Sequence, residues 1–311
     1  MALGIKQGDE VITTPFSFFA TAETILLTGA KPVFVDIEKY TYNLNPEKIE
    51  AAISRKTKAI IPVSLYGQPA NFKAINLIAN KYDLPVIEDG AQSFGSKHYD
   101  TRSCGLSTIG VTSFFPSKPL GGYGDAGACF TDNDSLANSM RQISLHGQDK
   151  RYSHHKIGLN GRLDTIQAAI LLSKLRIFDR EVLLREQIGK KYTEKLRLKG
   201  FNETPFIEPY NTSVYAQYTI QLESKNEIIN YLNKKGIPTA VHYPSLLSEQ
   251  VALNKKENFL HKVLDRKIYK SKKLENAKNI VNKVLSLPMH PLLKEDDQDL
   301  IVDSLTDNLK I

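Results

Sequence analysis

Between Glu10 and Asp89 the sequence keeps a strict rhythm, and that rhythm limits the folds open to it. Glu10–Thr14 is a short β-branched strand that Pro15 ends. Phe18–Leu27 has helical spacing, with Gly29 as its cap. Pro32–Asp36 reads as the next strand. Pro46–Ile53 reads as a helix that starts behind an Asn45 cap with proline at its first position. Ala59–Val63 is a buried strand, Asn71–Tyr82 a helix capped by Asn71, and Pro85–Asp89 another strand. Strand and helix alternating at this interval suit right-handed crossovers in a largely parallel sheet. Ligands of such sheets bind at the carboxyl ends of the strands, where Thr14, Tyr66 and Asp89 fall.

A second stretch, Val111–Phe130, carries the most chemistry. Val111–Phe115 is an apolar strand that Pro116 ends. Lys118 follows between a serine and a proline, ahead of Gly121, Gly122 and Gly124. Glycines lack a Cβ, so a ligand can approach the backbone there. A lysine on such a turn can bind a carbonyl compound as a Schiff base, and Ser113 and Ser117 offer hydroxyls to a phosphate. On the stretch alone, an ordinary solvated lysine is the stronger reading. Asp89 in Glu88-Asp89-Gly90-Ala91-Gln92 either meets a ligand or caps a helix. Gly122–Gly127 fits the dinucleotide pattern G-x-G-x-x-G, but a strand, Gly127–Thr131, follows it where a helix is required. The pair His154-His155 lacks acidic or cysteine partners at metal-ligand spacing.

Further on, Ser135–Ser144 reads as a short helix, Arg151–Gly161 as a loop, and Asp164 to about Leu198 as one long helix. Beyond Gly200 come a strand at Tyr215–Glu223, a helix at Asn226–Lys235, a strand at Thr239–Tyr243 and a closing helix at Asp296–Leu309. This divides the 311 residues into a large α/β domain (1–165), a linking helix (166–200) and a smaller α+β domain (201–311). The net charge of +7, concentrated late in Lys255-Lys256 and Lys270–Lys273, follows no nucleic-acid motif and suits an anionic substrate. Two cysteines, Cys104 and Cys129, make neither a disulfide framework nor a metal site. With no signal-peptide pattern and no apolar run of membrane length, the chain is read as cytoplasmic.

With Asp89, Gln92, Ser113 and Lys118 in this order, the chain resembles the DegT-type sugar nucleotide aminotransferases, pyridoxal phosphate (PLP) enzymes of fold type I. The resemblance runs through Gly8-Asp-Glu-Val-Ile, Pro15–Glu23, Glu88–Gln92, Ser113–Gly127, Gly158–Ala169, Val241-His-Tyr-Pro and Leu287-Pro-Met-His-Pro. It implies Lys118 as the lysine that holds PLP covalently and later moves protons. It implies Asp89 on the pyridinium nitrogen, Gln92 near the phenolic oxygen, Phe18 stacked on the ring, and Ser113 with Ser117 on the phosphate. Asn160 would reach the phosphate of the neighbouring subunit's cofactor, so a homodimer is expected. Arg162, His242 and Tyr243 would meet the nucleotide sugar. Glutamate is the implied amino donor. The substrate implied by Phe114–Asp125 is a UDP-linked 3-oxo-N-acetylglucosaminuronic acid of surface-polysaccharide synthesis, with other UDP- or dTDP-linked keto sugars as the runner-up.

One departure stands out. Met1–Gly4 reads as the last turn of a helix without its earlier part. Members of the family carry a segment before this point, with a Gly-Thr pair at a helix start whose amides bind the phosphate. Two hypotheses follow: an aminotransferase, or a non-catalytic, partner-binding relative on the same scaffold. The first rests on Lys118, Asp89, Gln92 and Asn160; the second rests on the short start.

Overall fold

A computed structural model describes residues 1–254 and 268–309; Lys255-Lys256 lie outside the described residues. The first Rossmann-like half is built from β1 (Glu10–Thr13), α1 (Ala20–Leu27), β2 (Lys31–Phe34), β3 (Thr57–Ile61), α2 (Phe72–Lys81) and β4 (Ile87–Asp89). A two-residue hairpin, β5 (Lys97–His98) and β6 (Thr101–Arg102), precedes β7 (Ile109–Ser113) and β8 (Gly127–Phe130). Then come α3 (Asp134–Ser144), a hairpin of β9 (Gln148–Lys150) and β10 (Ser153–His154), and α4 (Thr165–Leu198), a single helix of 34 residues. The remainder holds β11 (Tyr218–Gln221), α5 (Lys225–Lys234), α6 (Val251–Asn254), β12 (Lys270–Ser271), α7 (Glu275–Ile280), β13 (Val284–Leu287) and α8 (Glu295–Leu309).

Among the described residues the large sheet runs β12-β2-β1-β3. Parallel bridges from Ile60 to Val86 and from Val63 to Asp89 carry it on to β4. β4 pairs parallel with β7, and β8 closes the edge antiparallel to β7. Ile12, Val33, Ile60, Phe72 and Ile75 fill one face of this sheet. A second core, from Tyr192 and Leu196 of α4, Ile220 of β11, Leu232 of α5, Leu285 of β13 and Leu305 of α8, supports the smaller sheet of β11 and β13.

Three local expectations are corrected. Residues 46–53 form two 3₁₀ turns, Pro46–Lys48 and Glu50–Ala52, held by i→i+3 bonds such as Ala52 N–H to Ile49 O at 2.8 Å. So short a segment buries Ile49 and Ala52 without sustaining an α ladder. The Arg151–Gly161 loop contains β10. Thr239–Tyr243 is not a strand: Ala240 and Ser286 exchange one pair of backbone bonds (3.1 and 2.8 Å), and the chain then turns toward the large sheet.

A buried carboxylate ties α7 to the large sheet. Asp36, just beyond β2, is fully buried. It accepts from Lys48 Nζ (2.8 Å) and from the backbone N–H groups of Asn276 and Ala277 (3.0 Å each), capping α7. Burial pushes its pKa up, but the bonds from Lys48, Ala277, Asn276 and Ile37 outweigh it and hold the carboxyl below its ordinary value. The stabilisation is therefore complete above the unfolded carboxylate value of about 3.9 and is lost as pH falls through the lower folded value. Asp36→Asn is expected to lose about 2 kcal/mol at pH 7 in urea unfolding, with the difference from the parent protein shrinking as the pH is lowered through the carboxylate range.

Candidate active site

The site lies at the carboxyl ends of β4 and β7, neighbours in the sheet. Asp89 is the last residue of β4 and half-buried. Its Oδ2 accepts from Thr21 Oγ1 (2.8 Å) and its Oδ1 from the Ala91 N–H (3.2 Å). Thr21 comes from the first turn of α1, buried one helical turn from Ser17, whose hydroxyl lies 3.4 Å from it. Burial raises the Asp89 pKa, against the hydrogen bonds from Thr21 and Ala91 and the positive charge of Lys118. Lys118 is half-buried on the turn after β7. Burial lowers its pKa, and the Asp89 charge opposes that. Among the described residues its Nζ has no hydrogen-bond or ion-pair partner. Thus an amine tilted toward its neutral, nucleophilic form faces a carboxyl group with a lone pair to spare on each oxygen.

Gln92 closes the next side. It is buried; its Oε1 accepts from the Tyr66 N–H (2.7 Å) and its Nε2 donates to the Tyr243 hydroxyl (2.8 Å). Tyr66 in turn donates its phenolic hydrogen to the carbonyl of His242. Tyr243 packs edge-on to Phe16 at 6.3 Å and tilted to Phe18 at 6.4 Å between centroids. The Phe18 ring is 60 % exposed, an uncovered aromatic face beside the site. Burial, then the Asp89 charge, raises the Tyr243 pKa, while burial and the Lys118 charge lower that of His242.

Lys118, Asp89, Gln92, Tyr243 and His242 are thus linked by bonds or mutual charge, with Phe18 beside them. Ser113 is half-buried and accepts from the Phe115 N–H (3.2 Å); Ser117 is exposed one residue before Lys118. Asn160 and Arg162 are exposed on the far side of the β9–β10 hairpin, where Asn160 bridges to Leu145. Among the described residues no hydrogen bond or ion pair joins either to Lys118, Asp89 or Gln92.

The glycine turn has a different purpose from the one its sequence suggests. A Cβ on Gly121 would lie 2.4 Å from the Pro116 carbonyl oxygen. On Gly122 and Gly124 it would meet the side-chain amide of Gln167 at 2.8 and 2.9 Å. Gln167 of α4 also accepts from the Tyr123 N–H at 2.8 Å. These glycines let the turn fold against itself and against α4, which fixes the backbone next to Lys118. Thr21 and Gln167 were not among the expected site residues. The one signal that pointed to Thr21 is its polarity among the buried Ala22, Ile25 and Leu26 of α1, four residues after Ser17.

A partnerless half-buried lysine beside a carboxyl group, at the carboxyl edge of a mostly parallel sheet, defines the class: a PLP-dependent aminotransferase of fold type I. The chain belongs to the DegT/DnrJ/EryC1/StrS aminotransferase family, whose profile matches residues 1–306. The UDP-2-acetamido-2-deoxy-3-oxo-D-glucuronate aminotransferase of Pseudomonas aeruginosa is 54 % identical over 98 % of this chain and 81 % of its own length. A protein of Geobacillus stearothermophilus named pleiotropic regulatory protein is 43 % identical, over 98 % of this chain and 80 % of its own. The crystal structure of NtdA from Bacillus subtilis with bound cofactor PMP superposes with a TM-score of 0.88 at 32 % identity, covering all of this chain and 70 % of that one.

The cofactor is pyridoxal phosphate, and the free Lys118 amine and the unsaturated oxygens of Asp89 fit it. Removing the hydroxyl that supports Asp89 should raise its pKa further and weaken its hold on a protonated ring nitrogen. Thr21→Val is expected to raise the PLP dissociation constant about tenfold, measured by absorbance titration, with little change in melting temperature.

Proposed function

We propose that this protein transfers an amino group from glutamate to a UDP-linked 3-oxo sugar, a UDP-2-acetamido-2-deoxy-3-oxo-glucuronate, in the synthesis of a surface polysaccharide such as a lipopolysaccharide O-antigen. The observation that carries the reading is the Lys118–Asp89 pair, supported by the 54 % identity to a relative named for that substrate. PLP supplies an electron sink that makes the hydrogen on the donor's α-carbon acidic. Lys118 would take and return that proton. Asp89 would keep the ring nitrogen protonated, Gln92 would meet the phenolic oxygen, and Phe18 would cover the ring face. Ser113 and Ser117 would hold the phosphate, and His242 and Tyr243 would line the sugar side.

Asn160 reaches the cofactor phosphate of a second copy, which makes the active unit a homodimer, and Arg162 meets the nucleotide sugar. Their exposure, and that of Ile157, Leu159, Ile166 and Leu172 nearby, suits a surface covered by a partner. We divide the chain into a PLP-binding domain (1–165), a linking helix (166–200) and a small domain (201–311), and place it in the cytoplasm. Among the described residues no helix is long and apolar enough to cross a membrane.

The deciding experiment mixes the purified protein with PLP, then adds glutamate and the UDP-3-oxo sugar in turn. A visible absorbance band is expected that borohydride removes, glutamate bleaches and the keto sugar restores, with the amino sugar seen by mass spectrometry. Lys118→Ala should show no band and at least a thousandfold loss of turnover. A parent protein that binds PLP and bleaches with glutamate, yet converts neither this sugar nor dTDP-linked keto sugars, would overturn the substrate; no band at all would favour the non-catalytic relative.

A further inference from the structure

His242 is gripped from two directions, and the grip has a direction of its own. Its backbone carbonyl is held by Tyr66 from the large sheet. Its side chain is held from the small sheet: Nδ1 lies 2.9 Å from Ser286 Oγ on β13, and Ser286 Oγ lies 2.9 Å from Thr219 Oγ1 on β11. Ser286 and Thr219 are 4 % and 1 % exposed, so water does not compete for these bonds. They sit directly opposite each other in the β11–β13 ladder, where their hydroxyls meet as a cross-strand pair. The same Ser286 exchanges backbone bonds with Ala240, two residues before His242. One rigid two-stranded element therefore sets both the backbone and the ring of His242.

With Nδ1 turned to Ser286, Nε2 is the ring nitrogen left for an outside group, and among the described residues it has no partner. The ring is half-buried and within the field of Lys118. The chain of hydroxyls has a direction: Tyr66 gives its hydrogen to the His242 carbonyl, so Thr219 donates to the Tyr66 oxygen and accepts from Ser286, and Ser286 accepts from Nδ1–H, which leaves Nε2 as an acceptor. An imidazole free to turn presents donor and acceptor alike.

We propose that Ser286 and Thr219 are positioning residues for the second half of the reaction. They lock the His242 ring in one orientation and one tautomer, so that Nε2 accepts from a hydroxyl of the acceptor sugar. The proposal rests on the reading of His242 as a sugar-side residue. It assigns the two hydroxyls no part in the first half-reaction, because glutamate exchange needs Lys118 and Asp89, which they do not touch.

Two measurements test it. The first needs no cofactor turnover: ¹⁵N and ¹³C spectra of histidine-labelled protein, with the His242 signal assigned by His242→Gln. The parent protein should show a single neutral tautomer, while Ser286→Ala and Thr219→Val should show averaged shifts; Thr219→Ser, which keeps the hydroxyl, should restore the parent spectrum. The second measures the half-reactions apart. Ser286→Ala should bleach with glutamate at the parent rate but raise the KM for the keto sugar about tenfold, with Thr219→Ser again parent-like. Averaged shifts in the parent, or shifts unmoved by Ser286→Ala and Thr219→Val, would overturn the lock. Equal losses in both half-reactions would mean that the hydroxyls serve the fold only. Should the parent protein convert no keto sugar, the functional reading fails and the spectra alone decide the lock.

Discussion

The site depends on putting an amine and a carboxyl group out of bulk water together. Each group alone would respond to burial by discarding its charge, Lys118 by losing a proton and Asp89 by gaining one. Their pKa values move that way, and each is restrained by the charge of the other. The pair is thus poised rather than locked. Among the described residues no direct ion pair ties up Lys118, whereas Asp89 is fixed by Thr21 and by the Ala91 amide. An acid held still beside a base left free is an asymmetry that suits transamination.

Much of the surrounding architecture keeps that asymmetry. Glu88, one residue before Asp89, points to the other side of β4, as strand alternation requires. It is fully buried and accepts from Ser103 Oγ (2.6 Å) and the Cys104 N–H (2.7 Å). Burial pushes its pKa up to about 7. The loop it gathers packs under Gly90, where a Cβ would lie 2.7 Å from Cys104 Sγ. The carboxyl that binds nothing outside the protein therefore shapes the turn that presents the one that does. On the lysine side the same service comes from Gln167, which braces the glycine turn against α4.

The large domain was legible because its strands are apolar, short and punctuated. Pro15 ends β1, Gly29 follows α1, and Asn71 caps α2 through the Ala74 N–H at 3.2 Å. Asp89 and Lys118 could be placed together because ends of parallel strands share one edge. What the sequence did not disclose is made by partners distant along the chain. β12 has two polar residues, Lys270 and Ser271, and is a strand because β2 offers an open edge. Residues 239–243 have strand composition, yet Tyr66 and Gln92 draw His242 and Tyr243 out of the ladder. The three glycines hinted at ligand room, and periodicity carries no sign of a glutamine more than forty residues away that fills it.

The contacts of residues 239–243 also explain how distant parts of the chain make one site. Gln92 accepts from the Tyr66 N–H and donates to the Tyr243 hydroxyl, and the Tyr66 hydroxyl donates to the His242 carbonyl. Asp36 fastens α7 of the small domain to the large sheet, and Gln68 accepts from the Glu208 N–H (2.7 Å) while donating to the Phe206 carbonyl (2.9 Å). His242 and Tyr243 are held by side chains from distant parts of the sequence without help from any ligand, and groups fixed in advance lose less freedom when a ligand binds.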